Sequence, residues 1–225
     1  MWASWQMNTQ KAGVYIDRRL LALATALLFP TTPAWSQLHT PEPNTCLPAV
    51  FSLSGADRPT DQNGRVVSPD RFGGTTVVMT LVPPSCDTTC AMRMIDLDKI
   101  ARRRGAGLTH PVAFVAVATA GAGDRAALRR TMATWKLDRA RWTMVGASPL
   151  ATRTIMRRID IAPDGATEPS HVVLLFDAAG TLRQRYAGNP VDRERLIREI
   201  AIVDSLVPVP TAAPTRSSTC IAPTL

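Results

Sequence analysis

Two predominantly apolar runs, Val77 to Val82 and Val112 to Ala118, flank a stretch, Cys90 to Arg104, whose apolar residues recur at helical spacing. Apolar runs of that length fit buried strands, and strand, helix and strand in this order make one βαβ unit. The unit limits the chain to a few layered arrangements of helices on a sheet. The elements downstream narrow them further. A second helix is expected over Arg125 to Lys136 and a short strand over Trp142 to Val145. A third helix comes after the start signal Ser148-Pro149, over Leu150 to Ile159. Beyond a loop rich in Pro, Gly and Thr, Ala162 to Ser170, come a strand His171 to Phe176, a turn Asp177-Ala178-Ala179-Gly180 and a strand Thr181 to Tyr186. A last helix runs from about Val191 to Val203.

Near the start, Phe51 to Leu53 and Arg65 to Val67 flank Asp61-Gln62-Asn63-Gly64 and are read as the arms of a small hairpin. The whole order is that of a thioredoxin-like α/β sandwich with an N-terminal hairpin and one inserted helix. No internal repeat is visible. With 225 residues, 45% of them hydrophobic and 20% charged, the chain has the means to bury a substantial core.

The first segment does not share the domain's pattern. Lys11, Arg18 and Arg19 precede an apolar run from Leu20 to Phe29 that ends at Pro30 and small residues. That layout is a signal peptide's, over residues 1–36, with a small-residue cleavage site near Ser36; uncleaved, it would serve as a membrane anchor. The run is about half of the roughly 20 residues a membrane span needs. A Pro-rich linker is expected over 37–48, the thioredoxin-like domain over 49–206, and a tail rich in Pro, Thr, Ser and Ala over 207–225. The implied localisation is extracytoplasmic or periplasmic, anchored to the inner membrane if the signal is retained. The net charge of +8 favours acidic partners or an anionic membrane surface. Arginines at 102–104, 129–130 and 157–158 read as separate solvated helix faces rather than one stripe, so nucleic acid is not an expected partner.

Four cysteines in an exported chain are ordinarily disulfides. Cys46 and Cys220 lie in the two tails, where pairing with each other, a free thiol and an intermolecular bridge all remain open. Cys86 and Cys90 stand where the first buried strand ends and the first helix begins, in Val82-Pro83-Pro84-Ser85-Cys86-Asp87-Thr88-Thr89-Cys90. Residues four apart on a helix share a face, and a helix N-terminus favours thiolate. Two adjacent thiolates select a soft metal such as Cu(I), or close into a disulfide under oxidising conditions.

Of the three histidines, His39 lies in the entry segment and His110, before Pro111, is expected to face solvent. His171 opens the strand whose start faces the beginning of the first helix in a thioredoxin-like order. It is the candidate third ligand, since two thiolates and an imidazole suit both Cu(I) and Cu(II). Zinc would leave a fourth position open. Met79, Met92 and Met94 are nearby soft donors but fit core filling better.

From about Phe51 to Ile200 the chain resembles the SenC/Sco family of copper chaperones. The likeness is carried by "FSLSGADRPTDQNGRVVSPDRF", "VVMTLVPPSCDTTC", "FVAVAT", "RWTMVGAS" and "HVVLLFDAAGTLRQRY". It implies copper bound by Cys86, Cys90 and His171. It also implies a protein that delivers copper to the binuclear site of a cytochrome c oxidase, or to another copper protein, or reduces that site's cysteines. Where the family has Pro after each cysteine, this chain has Asp87 and Ala91, and the family's acidic segment after the second strand is replaced by Thr119-Ala120-Gly121-Ala122-Gly123-Asp124. Two other functions stay open: a thiol-disulfide oxidoreductase or peroxidase-like enzyme using Cys86 and Cys90, which needs no histidine, and an interaction module that keeps the fold without metal.

Overall fold

The computed structural model describes residues 45–84, 86–103, 107–119, 124–161, 172–187 and 190–208, all within the compact unit Leu38–Leu225. The expected signal segment, most of the linker, His39, the loop Ala162 to Ser170, His171, Cys220 and nearly all of the tail lie outside the described residues.

The strand that organises the molecule is β2, Thr76–Val82, every residue of which is buried. It pairs in parallel with β3, Val112–Ala118, over its full length and antiparallel with β5, Val172–Phe176. The pairings β3 to β4 (Trp142–Gly146, parallel) and β5 to β6 (Leu182–Ala187, antiparallel) extend the sheet on either side, and β1 (Thr60–Asp61) closes one edge against β4. The resulting order is β1-β4-β3-β2-β5-β6. Alternation along β2 divides the interior in two. Val77, Met79 and Leu81 face a cluster completed by α1 (Leu47–Phe51) and α4 (Pro149–Arg158). Val78 and Val82 face a second cluster under α2 (Thr88–Arg103), α3 (Arg125–Thr134) and α5 (Arg193–Ser205). The α/β sandwich expected from the element order is therefore the observed architecture. Helix α2 buries Cys90, Met94, Leu97, Ile100 and Ala101, residues spaced to form one stripe. Each large apolar side chain so buried contributes about 1.5–3 kcal/mol before entropy is subtracted.

Four expectations differ from what is observed. The first concerns the N-terminal hairpin. Phe51 closes helix α1 instead of forming a strand, because Pro48 at the first turn starts a helix that lays Leu47, Val50 and Phe51 into the core. The turn at Asp61–Gly64 exists, but its arms are Thr60 and Val66, joined by one bridge, and β1 spends its pairing on β4. Second, the segment expected to be linker already contains packed chain. Cys46 and Leu47 are buried, Leu47 N donates to Gly180 O at 2.7 Å, and Leu182 N donates to Thr45 O at 3.0 Å. Cys46 takes part in a disulfide, so of the open alternatives the free thiol is set aside, and Cys220 lies outside the described residues.

Third, His110 does not face solvent. It is 8% exposed and its Nδ1 lies 3.1 Å from Asp204 Oδ1 near the end of α5. The same carboxylate accepts from Thr109 N and from His110 N at 2.9 Å, so the entry to β3 is fastened to the last helix. Arg158 also departs from a solvated face: its guanidinium donates to Ala49 O and Ser52 O at the end of α1, and burial lowers its pKa. No helix among the described residues is long and apolar enough to cross a membrane.

Burial pushes the Asp204 carboxyl up, but the hydrogen bonds from Thr109 and His110 together with the charge of His110 outweigh it and hold the pKa below 3.8. A carboxyl depressed on folding stabilises the fold above its unfolded pKa, and that contribution is lost as the pH falls through the folded value. Asp204→Asn is therefore expected to cost about 1–3 kcal/mol at neutral pH. The difference from the parent chain, measured as urea unfolding free energies, should shrink below about pH 4.

Candidate functional site

The chain leaves β2 at Val82 through Pro83 and Pro84, which have no amide hydrogen to continue a ladder. The ends of β2 and β3 are tied together by Thr119 N donating to Val82 O at 2.9 Å. Cys86 comes at once, and α2 begins at Thr88. Asp87 starts that helix: its Oδ1 accepts from Cys90 N at 2.9 Å, the side-chain cap that an Asp before the first helical residue supplies. Asp87 O accepts from Ala91 N, closing the first turn. The spacing of the cysteines thus becomes a fixed geometry, with Cα atoms 5.2 Å apart and the two sulfurs joined as a disulfide.

The two sulfurs are not equivalent. Cys90 is 2% exposed and belongs to the core beneath α2, whereas Cys86 is half-buried and packs on the rim of that core. Beside Cys86 lies a cleft of about 280 Å³ lined by Pro83, Pro84, Ala118, Leu128 and Trp135. Its far wall is helix α3, so the site has an apolar shoulder that spacing of the cysteines did not reveal. Cys86 is therefore the more accessible of the two sulfurs.

Val172, the first residue of β5, is held to β2 by Thr80 Oγ1 donating to Val172 O at 2.9 Å. The start of β5 therefore lies beside the end of β2 that leads into the cysteines. His171, the residue before it, lies outside the described residues. Among the described residues no three His, Cys, Asp or Glu side chains cluster closely enough to hold a metal. Met79 and Met94 are fully buried core residues and Met92 is exposed.

One residue near the site is not apparent from sequence. Arg93, one turn beyond Cys90, is 1% exposed. Burial pushes its pKa down to about 10, which still leaves a cation at neutral pH. Its position was the available signal, since it falls within the stripe formed by Cys90, Met94 and Leu97. Arg93 and Cys90 are both buried residues of α2.

No family model and no curated protein matches the chain. Its fold is nonetheless shared with solved structures of a defined class, the thioredoxin-like proteins. Among them are members of the SCO1/SenC family. BsSco, described as a Sco-family cytochrome c oxidase assembly protein with a disulfide switch, superposes with a TM-score of 0.57 at 15% identity, over 74% of this chain and 98% of its own. Yeast Sco1 gives a TM-score of 0.57 at 16% identity, over 70% and 97%. It has also been solved with copper bound, where the TM-score is 0.56 at 15% identity, over 70% and 92%. DsbF of MTB, solved in mixed oxidised and reduced forms, gives 0.50 at 15% identity, over 70% and 98%.

The cap at Asp87 is open to a direct test. Asp87→Ala should lower stability by about 1 kcal/mol, with Asp87→Asn recovering most of it. Thermal unfolding of the oxidised proteins, compared with the parent, reads the difference.

Proposed function

We propose that this chain is an extracytoplasmic copper carrier that assists assembly of the copper site of a respiratory cytochrome c oxidase. Cys86 and Cys90 act as thiolate ligands and His171 as the nitrogen ligand. The observation that carries the proposal is the pair of cysteines fixed 5.2 Å apart at the junction of β2 and α2, on a fold shared with copper-bound Sco1. Two thiolates at that separation suit a soft monovalent cargo, and an imidazole would extend the set to Cu(II). The start of β5 beside the end of β2 supports His171 as the third donor. The apolar leader and the disulfides support an oxidising compartment outside the cytoplasm.

Loading requires reduction. The disulfide must take up two electrons, and two protons go to the freed sulfurs or are displaced when the metal binds. The N-terminus of α2 favours the thiolate form once the bond is open. Asp87 caps the same helix end and places a carboxylate beside the sulfurs, which opposes that effect.

A second reading rests on the unequal exposure of the sulfurs. A thiol-disulfide exchange enzyme needs one accessible and one shielded sulfur. With the pair reduced, the Cys86 thiolate would attack a substrate disulfide, forming a mixed disulfide and releasing one substrate thiolate. Cys90 would then attack Cys86, expelling the second substrate thiolate and forming the Cys86–Cys90 disulfide, which an external dithiol returns to two thiols by supplying two electrons and two protons. This route leaves His171 without a role.

The reduced protein is expected to take up close to one Cu(I) per chain in competition with a chromogenic chelator. Cys86→Ser and Cys90→Ser should abolish uptake, and His171→Ala should weaken Cu(II) binding. Absence of Cu(I) uptake by the reduced parent sinks the carrier reading. If disulfide turnover survives His171→Ala and is lost with either cysteine, the exchange reading stands in its place.

A further inference from the structure

The end of the sheet where β2, β3 and β4 begin carries a second cleft, of about 450 Å³. With seven residues in β2 it lies on the order of 20 Å from the cysteines. Its walls bear four arginines, Arg65, Arg71, Arg139 and Arg141, and no lysine. The neutral donors Asn63, Thr75 and Thr143 stand between them.

The arginines are of two kinds. Arg71 and Arg141 are anchored. Arg71 Nη1 lies 2.8 Å from Asp61 Oδ2, a carboxylate with no exposure, and its guanidinium sits over the Phe72 ring at 5.9 Å. Arg141 donates to Ala101 O at 2.9 Å and lies 3.2 Å from Asp138 Oδ2. Arg65 and Arg139 are exposed and have no carboxylate partner among the described residues. Four guanidiniums thus face two carboxylates, which leaves two positive charges uncompensated.

The frame that holds them is rigid. Asp61 accepts from Asn63 N and Arg65 N, which locks the turn bearing Arg65. Burial pushes Asp61 up, yet these bonds and the Arg71 guanidinium hold it below its ordinary value, so it stays ionised at neutral pH. Gln62, 3% exposed, clamps the same turn to β4 through Trp142 O at 3.3 Å and Met144 N at 2.9 Å.

We propose that this cleft is a binding site for a phosphate-type oxyanion, taken by Arg65 and Arg139 with Asn63, Thr75 and Thr143 completing its hydrogen bonds. Planar guanidinium forks match the oxygens of phosphate-type anions, and their weak hydration lowers the cost of engaging them; the locked turn fixes where Arg65 leaves the backbone. A free phosphate and the headgroup of an anionic lipid share this chemistry. The lipid source would hold this pole at a membrane and turn the cysteines away from it. The site is independent of the copper reading and survives its failure.

The test uses the full chain with inorganic pyrophosphate and with vesicles of phosphatidylglycerol or phosphatidylcholine. In amide NMR, pyrophosphate should shift Asn63, Thr75 and Thr143 saturably and leave Cys86 and Cys90 unmoved. Arg65→Glu with Arg139→Glu should weaken binding at least about tenfold. Both side chains are exposed, so circular dichroism should be unchanged, and the pair Arg65→Gln with Arg139→Gln provides a milder control. Co-sedimentation with phosphatidylglycerol that falls in these variants, without a response to pyrophosphate, assigns the lipid headgroup. A response to pyrophosphate without vesicle dependence assigns the free anion. If neither probe's binding depends on Arg65 and Arg139, or if the shifts fall elsewhere, the proposal is overturned.

Discussion

The burial of β2 on both faces, between a parallel and an antiparallel neighbour, is the constraint on which the rest of this structure depends. Its backbone groups have no water to fall back on, so both ladders must be made, and β3 and β5 supply them. The parallel neighbour demands a crossover, which is α2, and the antiparallel neighbour directs the start of β5 towards the end of β2. Both consequences converge at the end of β2 that leads to Cys86. The two prolines there are compatible with the sheet only because the strand has finished.

How far this could be read from the sequence depended on whether the signal was local. The strands β2 and β3 and the helices α3 and α4 were legible because apolar runs and start signals such as Ser148-Pro149 are properties of a few adjacent residues. The cysteine pair was legible for the same reason. Only the first arm of the N-terminal hairpin was misplaced: Phe51 is drawn into α1, and Thr60, which bridges Val66 instead, finds its main partner in β4, some 85 positions later, which nothing adjacent announces. His110 was misassigned because Asp204, its partner, arrives from the last helix. Arg93 and the apolar cleft beside Cys86 share this character, since each is created by packing between segments distant in the chain.

Buried carboxylates perform much of that long-range fastening. Asp98 accepts from Trp142 Nε1 at 3.1 Å and from Arg102 Nε at 2.6 Å, joining α2 to β4. Asp177 accepts from Thr181 N and from Arg183 Nε, and so closes the β5–β6 turn. Asp61 and Asp204 fasten β1 and the entry to β3 in the same way. An isolated buried carboxylate would be strongly unfavourable, and each of these is instead met by backbone amides or a cation. Their geometry fixes where elements begin and end, which the apolar core by itself does not specify.

The same logic bears on Asp87, at the start of α2. A proline in the first turn of a helix presets the backbone without adding charge, whereas Asp87 achieves the helix start through a hydrogen bond to Cys90 N. That hydrogen bond holds the position of Cys90, while the carboxylate alters the field around the sulfurs. A carboxylate at the mouth of the helix partly cancels the positive end of its dipole, at the place where thiolate charge would develop on reduction of the disulfide. The hydrogen bond of Asp87 thus fixes the helix start while its charge works against the dipole that the same start creates.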